Sequence, residues 1–168
     1  MILKTALFVA MVMVFTPASE SHSFSDCGGS AIKVDFGSIR LPDPIVLRAG
    51  RQESIGVKAS LKKDLPDRLK VKVKVEKKIL WGYVTVPCVN ELGSCTYDIA
   101  CNTPIVSQLG IKCPVKAGDH NLNKVITIPN ISIPSFLASG QYKLRAEVRS
   151  YYSGEMLGCG QAQLAIST

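Results

Sequence analysis

Apolar and polar residues alternate strictly along much of the chain. Ile55, Val57, Ala59 and Leu61 alternate with Ser54, Gly56, Lys58 and Ser60. Val71, Val73 and Val75 alternate with Lys70, Lys72, Lys74 and Glu76, and Tyr142, Leu144, Ala146 and Val148 with Lys143, Arg145, Glu147 and Arg149. Ala162, Leu164 and Ile166 continue the pattern. Successive side chains on a strand point to opposite faces, so each run places an apolar row inward and a polar row outward. Helical spacing fits none of these runs. Between them stand turn residues, among them Pro42-Asp43-Pro44, Ala49-Gly50, Leu92-Gly93-Ser94, Ala117-Gly118-Asp119 and Ser153-Gly154. The pattern predicts an all-β chain, an antiparallel immunoglobulin-like sandwich with one wetted face per sheet. One helical turn is expected at Ser135-Phe136-Leu137-Ala138, behind Pro134.

The first residues do not fit this pattern. Lys4 precedes ten apolar residues, 6–15, and small and polar residues follow. Ten are too few for a bilayer core that needs about 20. The segment reads as a secretory signal, residues 1–18, with cleavage after Ala18 or as late as residue 23. Residues 24–168 then form a single domain, large enough for a sizeable core. Without Lys4 the formal charge falls from +7 to +6. That balance favours anionic lipid surfaces or sulfated glycans as partners. The secretory route, leading to an extracellular or lysosomal location, speaks against nucleic acid.

All six cysteines, Cys27, Cys88, Cys95, Cys101, Cys113 and Cys159, follow the signal. An even count on a secreted chain reads as three disulfides. Locality favours joining Cys88 to Cys95, Cys101 to Cys113 and Cys27 to Cys159, although about 15 pairings remain open to sequence alone. No CxxC is present and the only histidines are His22 and His120, so no metal or other cofactor is expected. Hydrolase, zinc-protease and phosphate-loop motifs are lacking too, which points away from an enzyme. Asn130-Ile131-Ser132 is a glycosylation sequon.

The alternation breaks at Ile79-Leu80-Trp81-Gly82-Tyr83, just after Lys77-Lys78. A strand reversal there sets Ile79, Leu80, Trp81 and Tyr83 at an apolar tip suited to a membrane interface, with lysines beside it for anionic headgroups. A second apolar loop, Ile105, Val106, Leu109 and Ile111, is expected at the same rim.

Several ordered motifs span nearly the whole mature chain: DCGG, RLPDPIVL, LKVKVKVEKKILWGYVTVPC, GSCTYDIAC, KCPVKAG, IPSFLASGQYKLRAEV and LGCGQAQL. Together they resemble the ganglioside-activator branch of the ML lipid-recognition superfamily. The resemblance implies an antiparallel β-cup with a large apolar lipid cavity and a bound lipid. It implies disulfides Cys27–Cys159, Cys88–Cys95 and Cys101–Cys113, and a membrane-contacting loop at Ile79–Tyr83. It also implies a non-enzymatic carrier that lifts a glycosphingolipid from an anionic membrane and presents it to a lysosomal hydrolase such as a hexosaminidase. Under that resemblance Val71, Val73, Val75, Val84, Val86, Tyr142, Leu144, Ala146, Val148 and Leu164 line the cavity, and the second apolar loop forms its rim. Known members carry a fourth disulfide within an insertion between the positions of Cys101 and Cys113; here that loop is short and both extra cysteines are absent. Carriage of sterol, phospholipid or microbial lipid is the alternative within the superfamily. A solid-core cationic sandwich binding glycans or a receptor is the alternative outside it. Lys70, Lys72 and Lys74 are expected to face water, blunting an edge strand or drawing the protein to anionic membranes.

Overall fold

The computed structural model describes residues 22–130, 132, 134 and 139–168. The expected signal, residues 1–18, and the helical turn expected at 135–138 lie outside the described residues. Ten strands occur among the described residues: β1 (Ser23–Gly28), β2 (Ile32–Arg40), β3 (Ile45–Val46), β4 (Gln52–Leu61), β5 (Arg68–Ile79), β6 (Gly82–Thr85), β7 (Thr96–Ala100), β8 (Gly118–Thr127), β9 (Gly140–Ser150) and β10 (Met156–Ser167). One short helix, α1 (Pro104–Gln108), interrupts them. A seven-stranded sheet runs β1-β10-β9-β5-β6, with β7 paired to β5 beside β6 and β3 paired to β10. The second sheet is β2-β4-β8. All pairings within named strands are antiparallel except β3 with β10.

The alternation translates directly into register. Val71, Val73 and Val75 on β5 stand opposite Val148, Ala146 and Leu144 on β9, so these residues share the inner face. Lys70, Lys72 and Lys74 stand opposite Arg149, Glu147 and Arg145 on the outer face. β5 lies between β9 on one side and β6 and β7 on the other. Its lysines therefore do not guard an edge strand, which corrects that part of the sequence reading.

Two glycines let the sheets meet. The sheets come closest where β2 passes β1 and β10. Gly29, between β1 and β2, has φ +126°, and a Cβ there would sit 2.4 Å from the Cα of Gly158. A Cβ on Gly158 would meet Ile32 at 2.8 Å. Only glycine tolerates both the left-handed backbone and the close approach, which accounts for the DCGG and LGC stretches of the sequence.

Val75, Val86, Tyr142 and Leu164 form a buried core, with Ile45, Val73, Leu144, Ala162 and Ile166 packed against it. Farther along the same inner face Val71, Ala146 and Val148 are only half-buried. Interiors normally pack at crystal-like density, so half-buried valines on an inward face mean that the sheets stand apart there. Cys27 pairs with Cys159, Cys88 with Cys95 and Cys101 with Cys113, the pairing that the resemblance implies. The second of these closes the excursion by which the chain leaves β6 and rejoins the β5 edge as β7. The third anchors the loop that carries α1.

Candidate functional site: an apolar cavity between the sheets

Where the sheets diverge they enclose a cavity of about 780 Å³. Leu69 of β5 and Ile99 of β7 form one wall, and Ile32, Leu61 and Leu122 of the smaller sheet form the other. Leu65 and Pro66 close one side, while Val106, Leu109, Ile111 and Val115, from the α1 segment and the stretch after it, close another. Each strand contributes by its inward row: Leu69 faces Ile99 across the β5–β7 ladder, and Leu61 faces Ile32 across β2–β4. The volume falls within the roughly 300–1,000 Å³ of single-ligand sites. Apolar cavities of this kind favour apolar occupants over water.

The mouth is polar. Asp67, Lys112, Lys116, His120 and Lys124 border the cavity. The Lys116 ammonium donates to Asp64 Oδ2 at 2.8 Å, and the Ala117 amide donates to its Oδ1 at 2.8 Å. These bonds, the Lys116 one foremost, hold the Asp64 carboxyl below its ordinary range. His120 Nε2 lies 2.7 Å from the Lys116 carbonyl, which makes that nitrogen the protonated one. Tyr152 donates to Asp67 Oδ1 at 3.1 Å, and that bond to an anion raises the phenol pKa. Gly110, at φ +65°, brings the loop within 3.1 Å of Lys124 Nζ as measured from an added Cβ. The lysine stem thus lies against the loop that closes the cavity.

The sequence-expected residues fall into distinct places. Val75, Val86, Tyr142 and Leu164 pack on one another in the core. Val73 and Leu144 lean on that core, and Val71, Ala146 and Val148 line the half-open face beside it. Val84 shares their face by register but is 44% exposed. None of these ten residues borders the 780 Å³ cavity, whereas Val106, Leu109 and Ile111, expected at a rim, form part of its wall. Ile105 lies within α1. Leu80 and Trp81 are 93% and 91% exposed at the β5–β6 turn, and Ile79 is exposed beside them. Tyr83 turns onto the outer face, where the Lys143 ammonium lies 3.9 Å from its ring centroid. Asn130 is exposed beyond β8.

The two apolar loops do not share a rim. The tip follows Ile79, the last residue of β5, while Ala100, which leads into the α1 loop, pairs with Arg68, the first. Arg68 and Ile79 are the two ends of a 12-residue strand, about 36 Å apart at 3.3 Å per step. Both nevertheless lie along one edge of the large sheet, the edge built by β6 and β7. Ile32, Leu65, Leu69, Ile99 and Leu122 were not singled out from the sequence, and Leu61 only as a member of an alternating run. The β4 alternation ending at Leu61 was the signal available for one wall.

Two antiparallel sheets stapled by disulfides and parted around an apolar cavity define a lipid-binding β-cup. The chain belongs to the ML domain family, whose model matches residues 21–166. It is 32% identical to the ganglioside GM2 activator of Mus musculus over 70% of this chain and 67% of that protein. Identity to the ganglioside GM2 activator of Macaca fascicularis is 24%, over 94% of this chain and 93% of that one. Among solved structures, a Niemann-Pick type C2 protein from Japanese carpenter ant matches with a TM-score of 0.49 and 16% identity, covering 86% of this chain and 99% of that chain. Among the described residues no acidic, histidine or cysteine group could hold a metal ion, and no helix is long and apolar enough to cross a membrane.

Proposed function

We propose that the protein is a secreted or lysosomal, non-enzymatic carrier of the sphingolipid-activator type. It takes the hydrocarbon chains of one glycosphingolipid into the cavity and leaves the sugar at the charged mouth. There the sugar is offered to a glycosidase, for which a lysosomal hexosaminidase is the proposed partner. The observation that carries this reading is the 780 Å³ apolar cavity with lysines at its mouth. A lipid chain crossing water exposes methylenes at about 0.8 kcal/mol each, and the cavity removes that cost.

The membrane step follows from the β6–β7 edge. A molecule resting on this edge touches the bilayer with the Leu80–Trp81 tip and the α1 loop together. Exposed tryptophan partitions well into the interface, and Lys77 and Lys78 add attraction to anionic headgroups. Lipid then enters at the α1 end, since the Val75–Tyr142 core fills the interior toward the tip. Transfer of a labelled glycosphingolipid between anionic vesicles tests both parts. Leu69→Trp fills the cavity and should lower transfer at least tenfold in a protein that still folds. Replacing Leu80 and Trp81 by Ser should slow extraction from vesicles while leaving lipid binding in solution unchanged. Normal transfer by the folded Leu69→Trp variant would refute the cavity as the lipid site.

A further inference from the structure

The outer face of the large sheet carries a different feature. Lys70 and Lys74 stand directly opposite Arg149 and Arg145 in the middle of the sheet. Like charges so placed oppose folding, and an interior strand gains nothing from them as edge protection. Glu147 alone bridges the row on β9, accepting from Arg145 Nε at 3.1 Å and Arg149 Nη2 at 2.9 Å. Beside these charges the face is hollowed into a groove of about 360 Å³. Lys74, Lys143 and Arg145 border it together with Gln161, Gln163 and Ser23, and Glu76, paired with Lys74 at 2.9 Å, leaves the border with two cations in excess. The lipid cavity lies on the opposite side of the sheet.

We infer that this groove binds an acidic polysaccharide, a linear sulfated or carboxylated glycan. Amide and hydroxyl side chains suit sugar hydroxyls, and the cations suit sulfate or carboxylate groups along the chain. Same-face cations recur about every 6.6 Å along a strand and about 4.8 Å between strands, which serves an extended polyanion better than a single charge. A protein partner is disfavoured because the groove offers no aromatic anchor. A bilayer is disfavoured because a twisted sheet is not planar, and because resting on the β6–β7 edge, as proposed above, turns this face away from the membrane.

Retention of the mature protein on heparin, against neutral dextran, with increasing NaCl tests the inference. Lys74→Gln/Lys143→Gln/Arg145→Gln should weaken heparin binding at least tenfold while glycosphingolipid transfer is retained and the protein still unfolds in one cooperative transition. A charge-matched control on the smaller sheet and its adjoining turn, Lys33→Gln/Lys58→Gln/Lys62→Gln, should leave binding within twofold. Equal losses in the two triple variants would reduce the effect to net charge and overturn the site. No retention of the wild type above neutral dextran would overturn it as well. A parallel, equal loss of binding to anionic or ganglioside-bearing vesicles would assign the groove to the membrane surface instead.

Discussion

At the scale of single residues, the β5 lysines are not equivalent. Lys72 faces Glu147 across the ladder, whereas Lys74 faces Arg145. Cross-strand charge pairs contribute roughly 0.2–1 kcal/mol with the sign set by the charges. Lys74→Gln should therefore raise unfolding stability by a few tenths of a kcal/mol, discounted by the Lys74–Glu76 contact at 2.9 Å, and Lys72→Gln should lower it. Urea unfolding of the two variants measures the difference; equal shifts of one sign would contradict the register argument. Such asymmetry was hidden in LKVKVKVEKK. Alternation made the two faces of that stretch legible, but opposing residues depend on a partner strand about 75 positions away, and sequence spacing does not carry register.

Acid behaviour belongs to the same scale. Glu147 is held below its ordinary pKa, chiefly by the Arg149 hydrogen bond, and Glu155 by those from Lys63 and Ser30. Asp64 is lowered in the same way by Lys116. A depressed folded-state pKa stabilises above the unfolded value and is lost as pH falls through the folded one. These groups thus hold stability constant from neutrality down to about pH 4.3, the unfolded Glu value, and release it only below. A melting temperature flat between pH 7 and 5 and falling below 4 is expected. Asp64 and Glu155 are exposed, so their effects are modest, and Glu147, with only 16% of its side chain exposed, is the main contributor. A loss already complete at pH 5 would point to other groups.

At the scale of elements, the Cys101–Cys113 loop forms one wall of the cavity. The disulfide spans 12 positions and contributes about 3 kcal/mol in the chain-entropy account of loops this short. Cys101→Ser/Cys113→Ser should lower stability by about 2–3 kcal/mol. It should also speed exchange of bound lipid, since Val106, Leu109 and Ile111 lose their anchor. Faster unfolding with unaltered lipid exchange would mean that lipid passes elsewhere. Strands were readable from their alternation, as β4, β5 and β9 illustrate. The cavity was harder to place, because it lies where two sheets part, and that point depends on glycine contacts such as Gly29 with Gly158 and on which loop folds inward. Hence the apolar α1 segment, expected at a rim, forms wall, while the valines of β5 beyond Leu69 lead toward a packed core.

At the scale of the molecule, two sides of one sheet carry two chemistries. The inner side is apolar except for Lys77, which lies over the Tyr142 ring near the tip, and it opens into the cavity. The outer side presents Arg68, Lys70, Lys72, Lys74, Lys78, Lys143, Arg145 and Arg149 against only Glu76, Asp98 and Glu147. The two proposals divide these surfaces, with lipid met along the β6–β7 edge and polyanion across the outer face. The central claim is that the interior holds lipid. Native mass spectrometry of the protein secreted by eukaryotic cells, followed by analysis of its organic extract, addresses it most directly. The account predicts one glycosphingolipid or comparable lipid per chain, absent from the folded Leu69→Trp variant. A wild-type chain at its bare polypeptide mass, with no lipid in the extract and none taken up from vesicles, would contradict it.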